Sequence, residues 1–157
     1  MKKKPRELRI SWSRLQRLAA QLVCAIEGSG YKPDYVVGIA MGGLIPLALV
    51  AEGLKVKQVA AVAARSYDEK TKKPGKLVIS HMPQLQARGK KILLIDEIVD
   101  TGQTFEIVSK VLKETSGAAQ IKTAAIVVSA TCKTPPDFFV MNADIWVVFP
   151  WEADARQ

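Results

Sequence analysis

The sequence has few of the residues that build metal centres and disulfide frameworks. Its 157 residues contain one histidine, His81, and two cysteines, Cys24 and Cys132, with no CxxC or Cys/His spacing between them. A cysteine-based zinc site is therefore excluded, and we expect no disulfide framework.

Long apolar runs are also lacking. No stretch approaches the roughly 20 consecutive apolar residues that a membrane-spanning helix needs. The basic N-terminus, MKKKPRELRI, is followed by an amphipathic segment and not by the apolar core of a signal peptide. With 48% hydrophobic and 24% charged residues, the chain has an ordinary globular balance. We expect one domain over residues 1–157, located in the cytoplasm, with no membrane partner.

Acidic residues are fewer than basic residues in this sequence. The formal net charge is +8, and lysine and arginine cluster at residues 2–9 and again at residues 70–76. Such an excess attracts anions, which include polyphosphates and nucleic acids, and charge alone does not choose between them. Both clusters also have a simpler interpretation as solvated segments that aid solubility.

Helix and strand patterns alternate along the chain. Helical spacing of apolar residues covers 12–26, 44–54 and 103–114, and buried-strand runs cover 35–40, 59–63, 91–95, 121–128 and 138–141. Residues 65–88 are polar and lysine-rich and predict a long flexible arm. This order predicts an α/β fold with an open, doubly wound, mainly parallel sheet of five strands. Ligands are expected beyond the carboxyl ends of those strands.

The most informative segment is ILLIDEIVDTGQTF, residues 92–105. Asp96 and Glu97 follow four apolar residues and are expected where the predicted strand leaves the sheet. The next segment combines hydroxyls, a glycine and the free N–H groups of a helix start, which together bind phosphate: Asp100, Thr101, Gly102, Gln103 and Thr104. Carboxylates beside a phosphate loop suit a ribose phosphate, because carboxylates accept hydrogen bonds from a vicinal diol. Taken singly, these residues would also fit a solvated turn and a helix cap.

IDEIVDTGQT resembles the signature of the type I phosphoribosyltransferases, which transfer ribose 5-phosphate from phosphoribosyl pyrophosphate to a nitrogen base. An Asp-Thr-Gly at this place is similar to the enzymes of 6-oxopurines. The resemblance implies purine salvage, with Asp100 as the catalytic acid–base group at N7 of the purine. It also implies Mg²⁺ as cofactor, held by Asp96 and Glu97, and a homodimer or tetramer.

The resemblance extends to other segments. The C-terminal IWVVFPWE is similar to the end of xanthine-guanine phosphoribosyltransferases, where a small hood would stack Trp146 on the purine and bond the Val147 backbone to its edge. Met41, Gly42 and Gly43 match the pyrophosphate loop, although the family commonly has a cation where Met41 stands. Arg65 matches the start of a mobile loop and is the expected compensating cation.

A second departure concerns the base. Purine members usually have a lysine that donates to the purine O6, and Ser129 stands at that position, with Lys133 close by. Two lost cations and a basic chain leave an alternative open, a regulatory or RNA-binding protein that senses phosphoribosyl pyrophosphate. Asp100 and Trp146 favour the enzyme, and no nucleic-acid partner is expected.

Overall fold

The structure, a computed structural model, describes residues 6–66 and 76–154. Its helices are α1 (Trp12–Gly28), α2 (Leu44–Gly53), α3 (Gln103–Ser116) and α4 (Pro150–Asp154). Its strands are β1 (Glu7–Arg9), β2 (Tyr35–Ala40), β3 (Val59–Ser66), β4 (Leu77–His81), β5 (Lys91–Val99), β6 (Gln120–Ser129), β7 (Phe138–Ala143) and β8 (Trp146–Val148).

Local sequence explains where the main helices begin and end. The hydroxyl of Ser11 accepts a hydrogen bond from the Arg14 N–H and caps α1. Helix α3 ends at Gly117, whose φ of 66° lies in the left-handed region that glycine adopts without strain. The face that α1 buries, from Leu15 to Ile26, follows the spacing of the amphipathic pattern.

The main sheet has six strands in the order β4-β3-β2-β5-β6-β7, so the expected α/β fold with a mainly parallel sheet is confirmed and the expected count of five is wrong. The additional strand is β4, which pairs antiparallel with β3. It lies within the segment predicted to be a flexible arm, and its half-buried Leu77 and Ile79 alternate with exposed residues. Residues 67–75 of that arm lie outside the described residues.

The sheet is covered on both faces. Helices α1 and α2 cover one face, where Leu22 of α1 lies in the same apolar cluster as Leu93 of β5 and Ile126 of β6. On the other face, Phe105, Val108 and Leu112 of α3 pack on the sheet residues that point the opposite way. This is the doubly wound arrangement that the alternation of elements predicts.

The expected C-terminal hood contains β8 and α4, and it is joined to the N-terminus. Strand β8 pairs in parallel with β1, and the Ile10 N–H donates to the Val148 carbonyl at 2.9 Å. Phe149 stacks on Trp151 with 4.8 Å between ring centroids, and Trp151 in turn lies 6.2 Å from Trp12 of α1. The hood therefore rests on the N-terminal segment as well as on the sheet.

Across residues 6–66 and 76–154, no helix is both long enough and apolar enough to span a membrane.

Candidate active site

The strand order reverses between β2 and β5, where the chain moves toward β3 on one side and toward β6 on the other. Open α/β sheets bind ligands in the crevice at such a point. Asp96 and Glu97 lie there, within β5 and not after its end as the sequence analysis expected. The reason is that β5 pairs with β6 through Val99, whereas its pairing with β2 stops at Ile95. The acids therefore lie beyond the ladder on the β2 side only.

The two carboxyl groups are close together, and each lacks an ion-pair partner among the described residues. The Glu97 N–H donates to the Asp96 Oδ1 at 2.8 Å. Desolvation, followed by the neighbouring Glu97 carboxyl, raises the pKa of Asp96 well above its ordinary value. None of the ion pairs among the described residues involves either acid. The pair is therefore suited to a ligand that brings hydroxyl donors or a cation.

The loop before α3 presents backbone donors. Gly102 immediately precedes the helix with a φ of 91°, a conformation that favours glycine, and its Cα lies against the Thr134 carbonyl. The Gln103 N–H donates to the Thr101 hydroxyl at 3.3 Å. Because α3 has 14 residues, its first N–H groups and its dipole favour an anion at this end.

A second glycine loop, at the end of β2, lies against the acids. The peptide bond between Ala40 and Met41 is cis, and the Met41 side chain is 75% exposed. Gly42 contacts the Glu97 carboxyl group so closely that a side chain at Gly42 would occupy its place. A Cβ on Gly43 would lie 2.6 Å from the Ile39 carbonyl oxygen. Close packing against backbone therefore requires glycine at position 43, whereas at position 42 it brings the backbone against the Glu97 carboxyl group.

A cavity of about 810 Å³ joins the acids, the loop before α3 and the hood. The residues that line it include Asp96, Glu97, Asp100, Thr101, Gly102, Gln103, Thr104, Ser129, Asp144, Trp146, Val147 and Glu152. Trp146 is 68% exposed, so its indole face is open to a ligand. The structure therefore brings most of the residues singled out in the sequence together at one site.

The hood presents a peptide group as well as an indole. Successive residues of a strand direct their N–H and C=O groups to opposite sides. Because the Val148 carbonyl accepts from the N–H of Ile10, the residue after β1, the N–H and C=O of the preceding residue, Val147, point away from β1. Val147 lines the cavity. Its peptide groups are therefore available to a ligand there.

Some predicted residues lie outside this cavity. The glycine loop at 41–43 borders it through Glu97. Arg65 is exposed near the end of β3, pairs with Val78 of β4, and does not line it. Three lysines of the basic cluster at residues 70–76, Lys70, Lys72 and Lys73, fall outside the described residues.

Two acids in the cavity lining, Asp144 and Glu152, were missed by the sequence analysis. Glu152 accepts a hydrogen bond from the Phe149 N–H at 2.8 Å, three residues before it. This is one half of a capping box. Its spacing was a usable signal for the start of α4, whereas nothing in the sequence indicated that either acid reaches the cavity.

Comparisons with known proteins agree with this geometry. A family model described as the phosphoribosyl transferase domain matches residues 9–156. A xanthine-guanine phosphoribosyltransferase of Cereibacter sphaeroides is 27% identical over 91% of this chain and 85% of its own length. One of Desulfotalea psychrophila is 28% identical over 94% and 87%.

Solved structures show the same fold. The purine phosphoribosyltransferase of Pyrococcus horikoshii has a TM-score of 0.82 and 28% identity, and the match covers 93% of each chain. The xanthine-guanine-hypoxanthine phosphoribosyltransferase of Helicobacter pylori has a TM-score of 0.85 and 26% identity over 96% of this chain and 97% of its own. Since the family model matches nearly the whole chain, this protein belongs to the phosphoribosyltransferase family.

Proposed function

We propose that this protein is a purine phosphoribosyltransferase that transfers ribose 5-phosphate from phosphoribosyl pyrophosphate to a 6-oxopurine in purine salvage. The observation that carries the proposal is the single cavity that joins a phosphate-binding helix start, a pair of carboxylates and an exposed indole. These three features suit, in order, the 5′-phosphate, the ribose diol and a flat heterocycle. The names of the relatives, which are enzymes of xanthine, guanine and other purines, support the same substrate class.

Each of the two glycine loops would bind one of the phosphate groups of the substrate. Residues 101–104 would hold the 5′-phosphate through backbone N–H groups and hydroxyls. The loop of Met41, Gly42 and Gly43 lies on the other side of Asp96 and Glu97, next to β3, and would receive the pyrophosphate. Arg65 lies near the carboxyl end of β3, the parallel neighbour of β2, and would be the cation that approaches that group.

The donor set fits Mg²⁺ as cofactor. Mg²⁺ prefers oxygen ligands and is commonly held by one or two carboxylates together with substrate phosphates. Asp96 and Glu97 supply two carboxyl groups that have no ion-pair partner among the described residues. The same residues contain no cluster of three potential ligands, so substrate oxygens would complete the shell. When bound, the ion would neutralise charge on the pyrophosphate as it leaves.

The base would lie between Trp146 and the loop of Asp100. The indole face stacks on the purine, and the Val147 peptide meets its edge. In the transfer, N9 of the purine forms a bond to C1′ while the bond from C1′ to the pyrophosphate oxygen breaks, and that oxygen keeps the electron pair. Asp100 accepts the proton that the ring releases at N7.

The proposal includes assembly and location. A homodimer or tetramer would cover α2, whose Leu44, Ile45, Leu47 and Leu49 are only partly buried although the helix is apolar on all sides. A cytoplasmic location suits a highly charged phosphosugar that does not cross a bilayer unaided.

The test is turnover with Mg²⁺, phosphoribosyl pyrophosphate and a panel of bases, with formation of nucleoside monophosphate as the readout. Asp100→Asn should lower kcat by about 10²-fold or more, the usual contribution of a positioned acid–base group, and should leave phosphoribosyl pyrophosphate binding intact. Glu114→Gln is the matched control, because it removes an exposed carboxylate at the far end of α3.

Two results would contradict parts of the proposal. Product formation at the wild-type rate by the Asp100→Asn variant would refute the role of Asp100. Binding of phosphoribosyl pyrophosphate without product from any base would favour the phosphosugar-sensing alternative.

A further inference from the structure

We infer that Ser129 and Thr131 form a reversible hydroxyl pair at position 6 of the purine, so that the site takes 6-aminopurines as well as 6-oxopurines. This rests on the proposed function, because it concerns the base that the transferase accepts. It extends that function to a second substrate class.

Strand order places Ser129 opposite position 6. Asp100 follows β5, Ser129 ends the adjacent strand β6 and pairs with Ala143 at the end of β7, and Trp146 and Val147 of the hood follow β7 in the chain. All of them line one cavity, and Ser129 comes from the strand between β5 and β7. In a purine, position 6 lies between N7 and N1. A base with N7 at Asp100 and its N1 edge at Val147 therefore turns its position 6 toward Ser129, which lines the cavity.

The Ser129 hydroxyl has a partner that can reverse its role. Its Oγ lies 2.9 Å from the Thr131 Oγ1, at a geometry where either oxygen can donate, and it accepts the Thr131 N–H at 3.3 Å. A serine hydroxyl has one proton and two lone pairs. One lone pair is used by the Thr131 N–H. The proton and the other lone pair remain for the threonine hydroxyl and the base.

These two remaining positions can be filled in two ways. With a 6-oxopurine, Thr131 donates to Ser129 and Ser129 donates to the O6 carbonyl. With a 6-aminopurine, the amino group donates to Ser129 and Ser129 donates to Thr131. Each arrangement satisfies both hydroxyls and gives position 6 of either base a hydrogen-bond partner.

The Val147 peptide shares this property. The Val147 peptide offers a C=O for the N1–H of an oxopurine and an N–H for the bare N1 of an aminopurine. Among the described residues that line the cavity there is no lysine, arginine or histidine, and Lys133 of the neighbouring loop is exposed and does not line it. A group that could only donate is therefore not part of the described base site.

The test compares hypoxanthine with adenine as the acceptor. A site built around one hydrogen-bonding pattern rejects the wrong partner by about 10⁴-fold. For the wild-type protein we expect kcat/KM values for the two bases within about thirtyfold of each other, since no group is left unpaired with either. A larger preference for hypoxanthine would overturn the inference and leave the proposed function standing, whereas absence of product from every purine would overturn both.

Two variants test Ser129 itself. Ser129→Lys introduces a side chain that only donates, and it should raise the preference for hypoxanthine over adenine by about a hundredfold or more. Ser129→Ala should lower kcat/KM for both bases by about tenfold and leave their ratio within about threefold of the wild-type value. An unchanged ratio in a folded Ser129→Lys protein would refute the assignment. If that variant does not fold, the wild-type ratio and the alanine variant decide whether the assignment of Ser129 holds.

Discussion

Replacing Gly42 by alanine tests whether the position of the Glu97 carboxylate controls the binding of phosphoribosyl pyrophosphate. Gly42 does not have a positive φ, so alanine introduces no backbone strain there. The three atoms nearest to the added Cβ all belong to the Glu97 carboxyl group. The perturbation is therefore a displacement of one flexible side chain.

The size of the effect follows from that contact. Atoms in ordinary contact lie roughly 3.5–4.0 Å apart, so the carboxylate must move by about 1 Å or more to make room for the methyl group. A misplacement of about 1 Å in a positioning group can lower the rate by about 10². We expect kcat/KM for phosphoribosyl pyrophosphate to fall by about that factor. The free energy of unfolding should change by less than about 1 kcal/mol, because only the end of a flexible side chain moves.

Steady-state kinetics combined with a double-mutant cycle measures this coupling. If Gly42→Ala acts through Glu97, adding it to a Glu97→Ala variant should cause little further loss, because the displaced carboxylate is already absent. Gly43→Ala is the comparison for stability, because its Cβ would meet rigid backbone, with the Ile39 carbonyl oxygen at 2.6 Å and the Ile95 carbonyl oxygen at 2.8 Å. That variant should be clearly less stable than Gly42→Ala. Additive losses in the cycle, or wild-type kinetics for Gly42→Ala, would refute the reasoning.

Three further predictions concern other parts of the site. Trp146→Ala should raise KM for the base by about tenfold or more, because stacking of a base on an aromatic ring contributes about 1–3 kcal/mol; stability should hardly change because the indole is 68% exposed, and an unaltered base KM would contradict the assigned stacking. Burial raises the pKa of Asp96, so ionisation of this group destabilises the fold as the pH rises above the ordinary carboxyl range. In denaturant unfolding, Asp96→Asn should therefore increase the free energy of unfolding over the wild type more at pH 7 than at pH 4, and the opposite trend would rule out this cause. Gly102→Ala should lower Tm, because a left-handed residue with a side chain costs roughly 1–2 kcal/mol and the Thr134 carbonyl leaves no room for the methyl group; an unchanged Tm would contradict the φ of 91°.

The local elements were predictable because their signals are local. Ser11 caps α1, and the apolar residues from Leu15 to Ile26 are the ones that the helix buries. Gly102 and the hydroxyls around it indicate a phosphate loop because a left-handed residue and a helix start need particular residue types at adjacent positions. The six-residue strand β2 was predicted over the range that the structure shows.

Elements defined by distant partners were not predictable. The edge strand β4 has only five residues and buries none of them fully, and it is defined by antiparallel pairing with β3. Strands β1 and β8 have three residues each and lie at opposite ends of the chain, so no periodic pattern could show that they pair. The polar segment containing β4 was therefore interpreted as an arm, and β1 and β8 were not predicted as strands.

For the candidate site, the sequence by itself determined the chemistry, and the tertiary structure decided the geometry. The run from Ile92 to Phe105 contains the acids, the glycine and the hydroxyls together, because one strand, one turn and one helix start follow each other directly in the chain. Which groups line the cavity together depends on strands β5, β6 and β8, whose positions are set by pairing between distant segments of the chain. The contact of Gly42 with Glu97 depends on tertiary packing, and the hydroxyl pair at Ser129 depends on the geometry of the turn that follows β6. Residue type alone predicts neither of them.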